Sequence, residues 1–297
     1  MGKASRSKQG DARAKIAAQR AAAKRAEIRN RMFMTSGAVV VVIAIVVVFV
    51  VVKLNSKTSA DTGSPTGSTL SASAIHDITA VPSATLDAVG AGTSSASTII
   101  KIPGTHLTSA GKPEVLYIGA EFCPYCAAER WGMAVALSRF GTFTGLHGIH
   151  SSTKPGEPYP ATPTLTFYKS TYTSKYITFT PVETETVQET ALQQASSQQT
   201  QLIDKYDGPP YVSGSAGSIP FIDFGNQFMV SGASYSPQIL QGKTWTQVAA
   251  ALSDPTSAIA KGVDGTANQI TAAICKLTNN QPASACTSTV QALGAKI

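Results

Sequence analysis

Val115-Leu116-Tyr117-Ile118-Gly119-Ala120-Glu121-Phe122-Cys123-Pro124-Tyr125-Cys126-Ala127 is the stretch on which the fold turns. Its first four residues form an apolar run of strand type. The residues from 127 to 139 carry a helical pattern, which Gly141 stops. Two cysteines therefore fall where a strand feeds a helix. The first backbone N–H groups of a helix are unpaired, and with the helix dipole they favour negative charge on Cys123. Pro124 fits the first helical turn, where its missing N–H costs nothing, and Cys126 lies within the helix as the partner sulfur.

Outward from that point the chain is uneven. Residues 1–31 hold ten Lys or Arg against Asp11 and Glu27, a charge of +8 in a chain whose total is +7. The remainder is near −1, so the basic isoelectric point describes the tail, and a nucleic-acid partner loses its main support. Residues 32–52 are uncharged and dense in Val and Ile. At ~1.5 Å per residue they match a hydrocarbon core of about 30 Å. They are expected to form a transmembrane helix, with residues 1–31 as a basic cytoplasmic tail and residues after 53 outside the cell membrane. The apolar run exceeds a signal-peptide core, which argues for an anchor over a cleaved leader.

Residues 53–73 are rich in Ser, Thr and Gly and read as a flexible linker. Residues 74–297 then form the extracytoplasmic domain. The pattern predicts a helix near 82–89, strands near 98–102, 115–119 and 146–151, and a hairpin from 164–168 and 176–179. Residues 184–206 lack Gly and Pro and are expected to be helical. Residues 218–230 form two strands about Gly225-Asn226, and helices at 245–252 and 268–277 close the chain.

All four cysteines, at 123, 126, 275 and 286, fall in that domain. An even count in an oxidising compartment suggests two disulfides, and the spacing pairs them locally. Cys275 with Cys286 reads as a structural disulfide, with relay of electrons as the alternative. A CxxC is also half of a zinc site, but the spacing of Cys275 and Cys286 does not supply the other half, so no metal and no cofactor are assigned. Glu121 and Glu129 flank the motif. Glu129 lies one turn after Cys126 as a proton relay, with a surface ion pair to Arg130 or another cation as the plain alternative. Trp131 reads as core. His147 and His150 border the strand at 146–151 without a ligand spacing.

The segment 120–126 after a strand, followed by Ile219-Pro220 opening another strand, resembles the thioredoxin superfamily. The resemblance implies an α/β fold, a thioredoxin-like central sheet flanked by helices, with a hairpin and helical segment inserted at about 152–210. It implies that Pro220 is cis and packs against the dithiol, and that Ile219 aligns a substrate strand. It makes Cys123, Cys126 and Pro220 the catalytic set and Ile219, Pro124 and Tyr125 substrate contacts, with Pro124 and Tyr125 tuning the reduced form. No acid occupies the neighbourhood of Tyr117, where the minimal thioredoxin keeps its buried carboxyl. More narrowly, residues 116–131, 179–183 and 274–286 are similar to a family of uncharacterised bacterial and archaeal membrane-anchored proteins, catalogued as a domain of unknown function.

The expected activity is thiol–disulfide exchange by a membrane-anchored oxidoreductase acting on cysteine-containing envelope or secreted proteins, with a separate redox partner for recycling. The alternative is a surface interaction or assembly protein that uses both disulfides only for stability.

Overall fold

The computed structural model describes residues 67–94, 98–213 and 217–297. In chain order these form β1 (Ser68–Thr69), α1 (Ala72–Thr79), α2 (Ser83–Val89), β2 (Ile100–Lys101), β3 (Thr108–Ser109), β4 (Lys112–Gly119) and α3 (Pro124–Ser138). Next come β5 (Gly141–Thr144), β6 (His147–His150), β7 (Pro163–Thr166), β8 (Thr171–Ser174), β9 (Thr178–Glu183) and α4 (Ser197–Tyr206). The chain closes with β10 (Phe221–Phe224), β11 (Phe228–Ser231), a 3₁₀ turn at Pro237–Leu240, α5 (Trp245–Ala251), α6 (Ala258–Leu277) and α7 (Ser288–Gly294).

β4 is the axis of the largest sheet. It runs parallel to β9, with Val115 opposite Phe179 and Gly119 opposite Glu183. It runs antiparallel to β10, with Ile118 opposite Phe221 and Val115 opposite Phe224. β10 and β11 form a hairpin about Gly225 and Asn226, both at positive φ, the conformation a two-residue turn of this hand requires. Asp223 tightens that turn by accepting from the Asn226 N–H at 2.7 Å.

Side chains on β4 alternate, and both faces are covered. Val115 and Tyr117 join the main core with Trp131, Leu137, Ile222 and Phe224. Leu116 and Ile118 join a second cluster with Val182, Phe221, Met229 and, from α4, Ile203 and Tyr206. A strand buried on both faces reads as a continuous apolar run, which is why residues 115–118 show no alternation in sequence. α3 packs along α6 with almost every residue buried. Gly132 allows the close approach: a Cβ there would lie 2.6 Å from Thr266 Cγ2.

Several expectations are corrected. In place of one thioredoxin-like central sheet, the described residues form a mixed α/β arrangement with three sheets, of three, six and two strands. The stretches 164–168 and 176–179 do not pair as a hairpin. β7 pairs with β6, β8 pairs with β5, and β9 joins β4 in parallel. The residues between the two stretches form a strand of their own, β8, instead of a turn, which leaves β7 and β9 to pair in different sheets. Of the helix expected over 184–206 only α4 forms, started by a Ser196–Gln199 capping box; residues before it, such as Glu185 opposite Ala191, make a bridge instead. β1 and α1 begin inside the stretch read as a linker, and Ser71 caps α1 by accepting from Ala74 N–H.

The expectation of a single-pass membrane protein with an extracytoplasmic domain is also corrected. No helix among the described residues is long and apolar enough to cross a membrane. The longest, α6, carries Lys261, Asp264, Asn268, Gln269 and Lys276. The run 32–52, on which the expectation rested, and the basic tail 1–31 lie outside the described residues.

Candidate functional site

β4 ends at Gly119, and four residues later Cys123 caps α3. The Cys123 N–H donates to the Ala120 carbonyl at 3.3 Å, closing the turn. The Cys126 N–H then donates to Cys123 Sγ at 3.2 Å, so the sulfur takes the place an N-cap oxygen usually fills. Pro124 occupies the first helical turn, as its lack of an N–H allows. Both cysteines are free thiols; Cys123 is 5% exposed and Cys126 is fully enclosed.

The Ile219–Pro220 bond is cis and stands immediately before β10, the antiparallel neighbour of β4. Cys123 Sγ lies 3.8 Å from the Ile219 carbonyl oxygen. Pro220 is buried, and its carbonyl accepts from the Gly232 N–H at 2.8 Å. Tyr125 stands out from this enclosed ground. It is the one large hydrophobic side chain well exposed among the described residues, at 40%, and meets the half-buried Tyr159 edge to face at 5.9 Å. The loop carrying Tyr159 is tied to the dithiol turn by a bond from Ser152 N–H to the Phe122 carbonyl at 2.8 Å.

The two sulfurs are electrostatically unequal. Cys123 is held below the ordinary thiol range, first by its hydrogen bond with the Cys126 side chain, then by the Cys126 N–H, the Arg130 charge and the Tyr125 N–H, all working against burial. Cys126 is pushed well above that range, first by burial and then by its bond to Cys123. The negative charge of the pair therefore belongs on Cys123.

Behind the dithiol lies an ion pair that the sequence reading did not single out. Arg130 Nε donates to Glu183 Oε1 at 2.8 Å and Nη2 donates to Oε2 at 2.6 Å, with both side chains fully buried. Nη2 also donates to the Ala120 carbonyl at 2.6 Å, and the guanidinium stands 5.8 Å from the centroid of the Tyr117 ring. Burial opposes the charge on Arg130, yet the Glu183 carboxylate gripping it favours the charged form and the group stays protonated. Burial likewise keeps Tyr117 neutral, pushed well above the usual phenol range. The available sequence signal was spacing, since Arg130 stands four residues after Cys126 on α3.

The two candidate acids part company. Glu121 lies in the dithiol turn, almost fully buried, and accepts from Thr166 Oγ1 at 2.6 Å. Burial raises its carboxyl above the usual range despite that bond. Glu129 is fully buried and accepts from Ser234 N–H at 2.8 Å and Ser234 Oγ at 2.9 Å. Burial pushes it up to about 7. Both its oxygens are engaged by the loop after β11, and Arg130 pairs with Glu183 in place of the surface pair considered for Glu129. Trp131 is core, donating from Nε1 to the Pro163 carbonyl at 2.9 Å.

Cys275, near the end of α6, is bonded to Cys286, and both belong to the main core. His147 Nδ1 sits 2.8 Å from the Gly145 carbonyl, and His150 packs its ring 4.6 Å from Trp245. Among the described residues no three His, Cys, Asp or Glu side chains are grouped to hold a metal ion.

A family described as a domain of unknown function, DUF929, matches residues 98–276. No curated protein and no solved structure matches the chain. The matched span runs from just before β2 to the penultimate residue of α6 and takes in the dithiol, Arg130, Glu183 and Pro220. It covers more than half of the sequence, and the chain belongs to the DUF929 family.

Proposed function

We propose that the protein is a thiol–disulfide oxidoreductase in which Cys123 is the exchanging sulfur and Cys126 the resolving one. The observation that carries this reading is the unequal placing of the pair: Cys123 Sγ stands at the helix start and accepts the Cys126 N–H at 3.2 Å, which favours its thiolate, beside a fully enclosed Cys126. A purely structural bridge has no use for such a difference. The site also resembles that of the thioredoxin superfamily, with a dithiol at a strand-to-helix junction and a proline opening the neighbouring strand.

In the direction that reduces a substrate, the Cys123 thiolate attacks one sulfur of a substrate disulfide. A mixed disulfide forms, and the other substrate sulfur leaves as thiolate and takes up a proton. Cys126 then loses its proton and attacks Cys123 Sγ, releasing the second substrate thiolate, which is protonated in turn. The protein ends with a Cys123–Cys126 disulfide, and two electrons have passed to the substrate. The reverse sequence oxidises a dithiol. Substrates are cysteine-containing proteins, and a separate redox protein restores the pair. Tyr125 and Tyr159 supply an apolar rim beside the sulfur, while Ile219 and Pro220 border it on the side of β10.

Trapping tests the reading. With Cys126→Ala, incubation with a disulfide-bearing protein such as insulin should accumulate a covalent adduct that dithiothreitol releases. Cys123→Ser should form none. An adduct on Cys126 in place of Cys123 would overturn the assignment of roles.

A further inference from the structure

Resolution asks for a charge where water is absent. Cys126 is fully enclosed, so forming its thiolate carries a desolvation cost that a fixed positive charge must offset. We propose that the Arg130 guanidinium, clamped by Glu183 and the Ala120 carbonyl, is the positioning residue against which the Cys126 sulfur becomes a thiolate during resolution. The proposal rests on the thiol–disulfide reading above.

Three features of the geometry support it. Arg130 follows Cys126 by four residues, so both lie on one face of α3, one turn apart. The Ala120 carbonyl receives Arg130 Nη2 at 2.6 Å and the Cys123 N–H at 3.3 Å, which ties the guanidinium to the turn that presents the dithiol. Glu183 grips Nε and Nη2, leaving Nη1 a buried donor without a hydrogen-bond partner among the described residues. A buried ion pair left with an unused N–H is a poor structural staple, because that donor is desolvated without return. It suits a charge kept for a transient anion.

The other ionisable groups at this centre are accounted for. Cys123 and, from β4, Tyr117 interact electrostatically with the Cys126 sulfur, Tyr117 stays neutral, and Arg130 acts on both sulfurs to favour the anion. Glu121 is engaged by Thr166 from β7, and Glu183 from β9 opposes the effect of Arg130. In the resolving step the Cys126 proton leaves as the sulfur turns nucleophilic. The Cys126–Cys123 bond forms while the Cys123–substrate bond breaks, and Arg130 neither gives nor takes a proton.

The experiment is a pH titration of the reduced protein labelled with ¹³Cβ-cysteine, which reads each sulfur without requiring access to it. Glu183→Gln keeps the shape and removes the opposing charge, so Cys126 should ionise at lower pH. Arg130→Met leaves Glu183 uncompensated, so Cys126 should ionise at higher pH by about one unit or more, a tenfold loss of thiolate at fixed pH. Arg130→Lys should stay near the wild type. If Arg130→Met does not fold, the doubly apolar Arg130→Met/Glu183→Leu replaces it, because buried pairs often tolerate such exchange; it too should ionise at higher pH. A structural role predicts no opposite-signed shifts. Cys126 titration that stays unmoved in folded Glu183→Gln, or that moves the same way in both charge variants, overturns the proposal. Turnover of insulin by the wild type is read in parallel. Its absence, with the shifts present, overturns the oxidoreductase reading and leaves the charge assignment standing.

Discussion

Cys123 Sγ receives the Cys126 N–H at 3.2 Å and lies 3.8 Å from the Ile219 carbonyl, so one sulfur joins a helix start to a segment 96 residues further along the chain. The N–H stabilises the thiolate, whereas the carbonyl can bond only the protonated thiol. The balance lies with the anion, because Cys126 and Arg130 add to the first effect.

Reactivity should follow that balance. In Cys126→Ser, iodoacetamide should alkylate Cys123 with a pH midpoint below the about 8.5 of a free thiol. In Cys123→Ser, the enclosed Cys126 should react at least about tenfold more slowly at neutral pH, since burial raises its pKa and blocks access. Mass-spectrometric rates on the two variants check this.

Stability should fall as pH rises from about 4 to 8. Burial pushes Glu129 and Asp223 up to about 7 and Asp264 up to about 8. These carboxyls therefore hold protons in the folded chain that the unfolded chain releases near pH 4, and the stability present below that value is lost as pH passes the folded values. Asp264 is the clearest case, since both its oxygens lack a hydrogen-bond partner among the described residues. Denaturant titrations across the range should show the slope, and Asp264→Asn should flatten its upper end. Rising stability between pH 5 and 8 would contradict the sign.

Gly132→Ala should lower stability by about 1–3 kcal/mol through overpacking against α6. The added methyl meets Thr266 Cγ2 at 2.6 Å. Thr266→Ser removes that methyl while keeping the hydroxyl that bonds Ser94 at 2.8 Å. The double variant should recover part of the loss in a urea melt, and simple additivity would show that the two positions do not share the contact.

Replacing both Cys275 and Cys286 by Ala should cost about 2–3 kcal/mol, the scale set by a short closed loop. The alkylation rate of Cys123 should not change, because the bridge ties α6 to the segment before α7. A large change in that rate would assign the second pair a part in electron relay.

Local signals were legible in the sequence wherever one residue type suffices. The strand into Cys123, the Gly225-Asn226 turn, Trp131 as core and the Cys275–Cys286 bond all appear where expected, while the cis Ile219–Pro220 bond was implied only by the resemblance. Pairing was less legible. β5 and β8 alternate as edge strands do, but nothing in residues 141–144 names 171–174 as the partner. The site was half visible: the sulfurs and Pro220 stand in motifs, while Arg130 meets Glu183 only because β9 lies parallel to β4 and ends opposite Gly119. The surface ion pair weighed for Glu129 does not form because α3 is enclosed on nearly every side, so its flank faces Ser234 and not solvent.

The reduction potential of the Cys123–Cys126 pair tests the central claim most directly, by thiol trapping across a glutathione or dithiothreitol series, with Cys275–Cys286 as internal reference. A pair that exchanges disulfides should fall between about −120 and −270 mV, and the value gives the direction of transfer. A value well below about −300 mV would mark a structural bridge and contradict the oxidoreductase account.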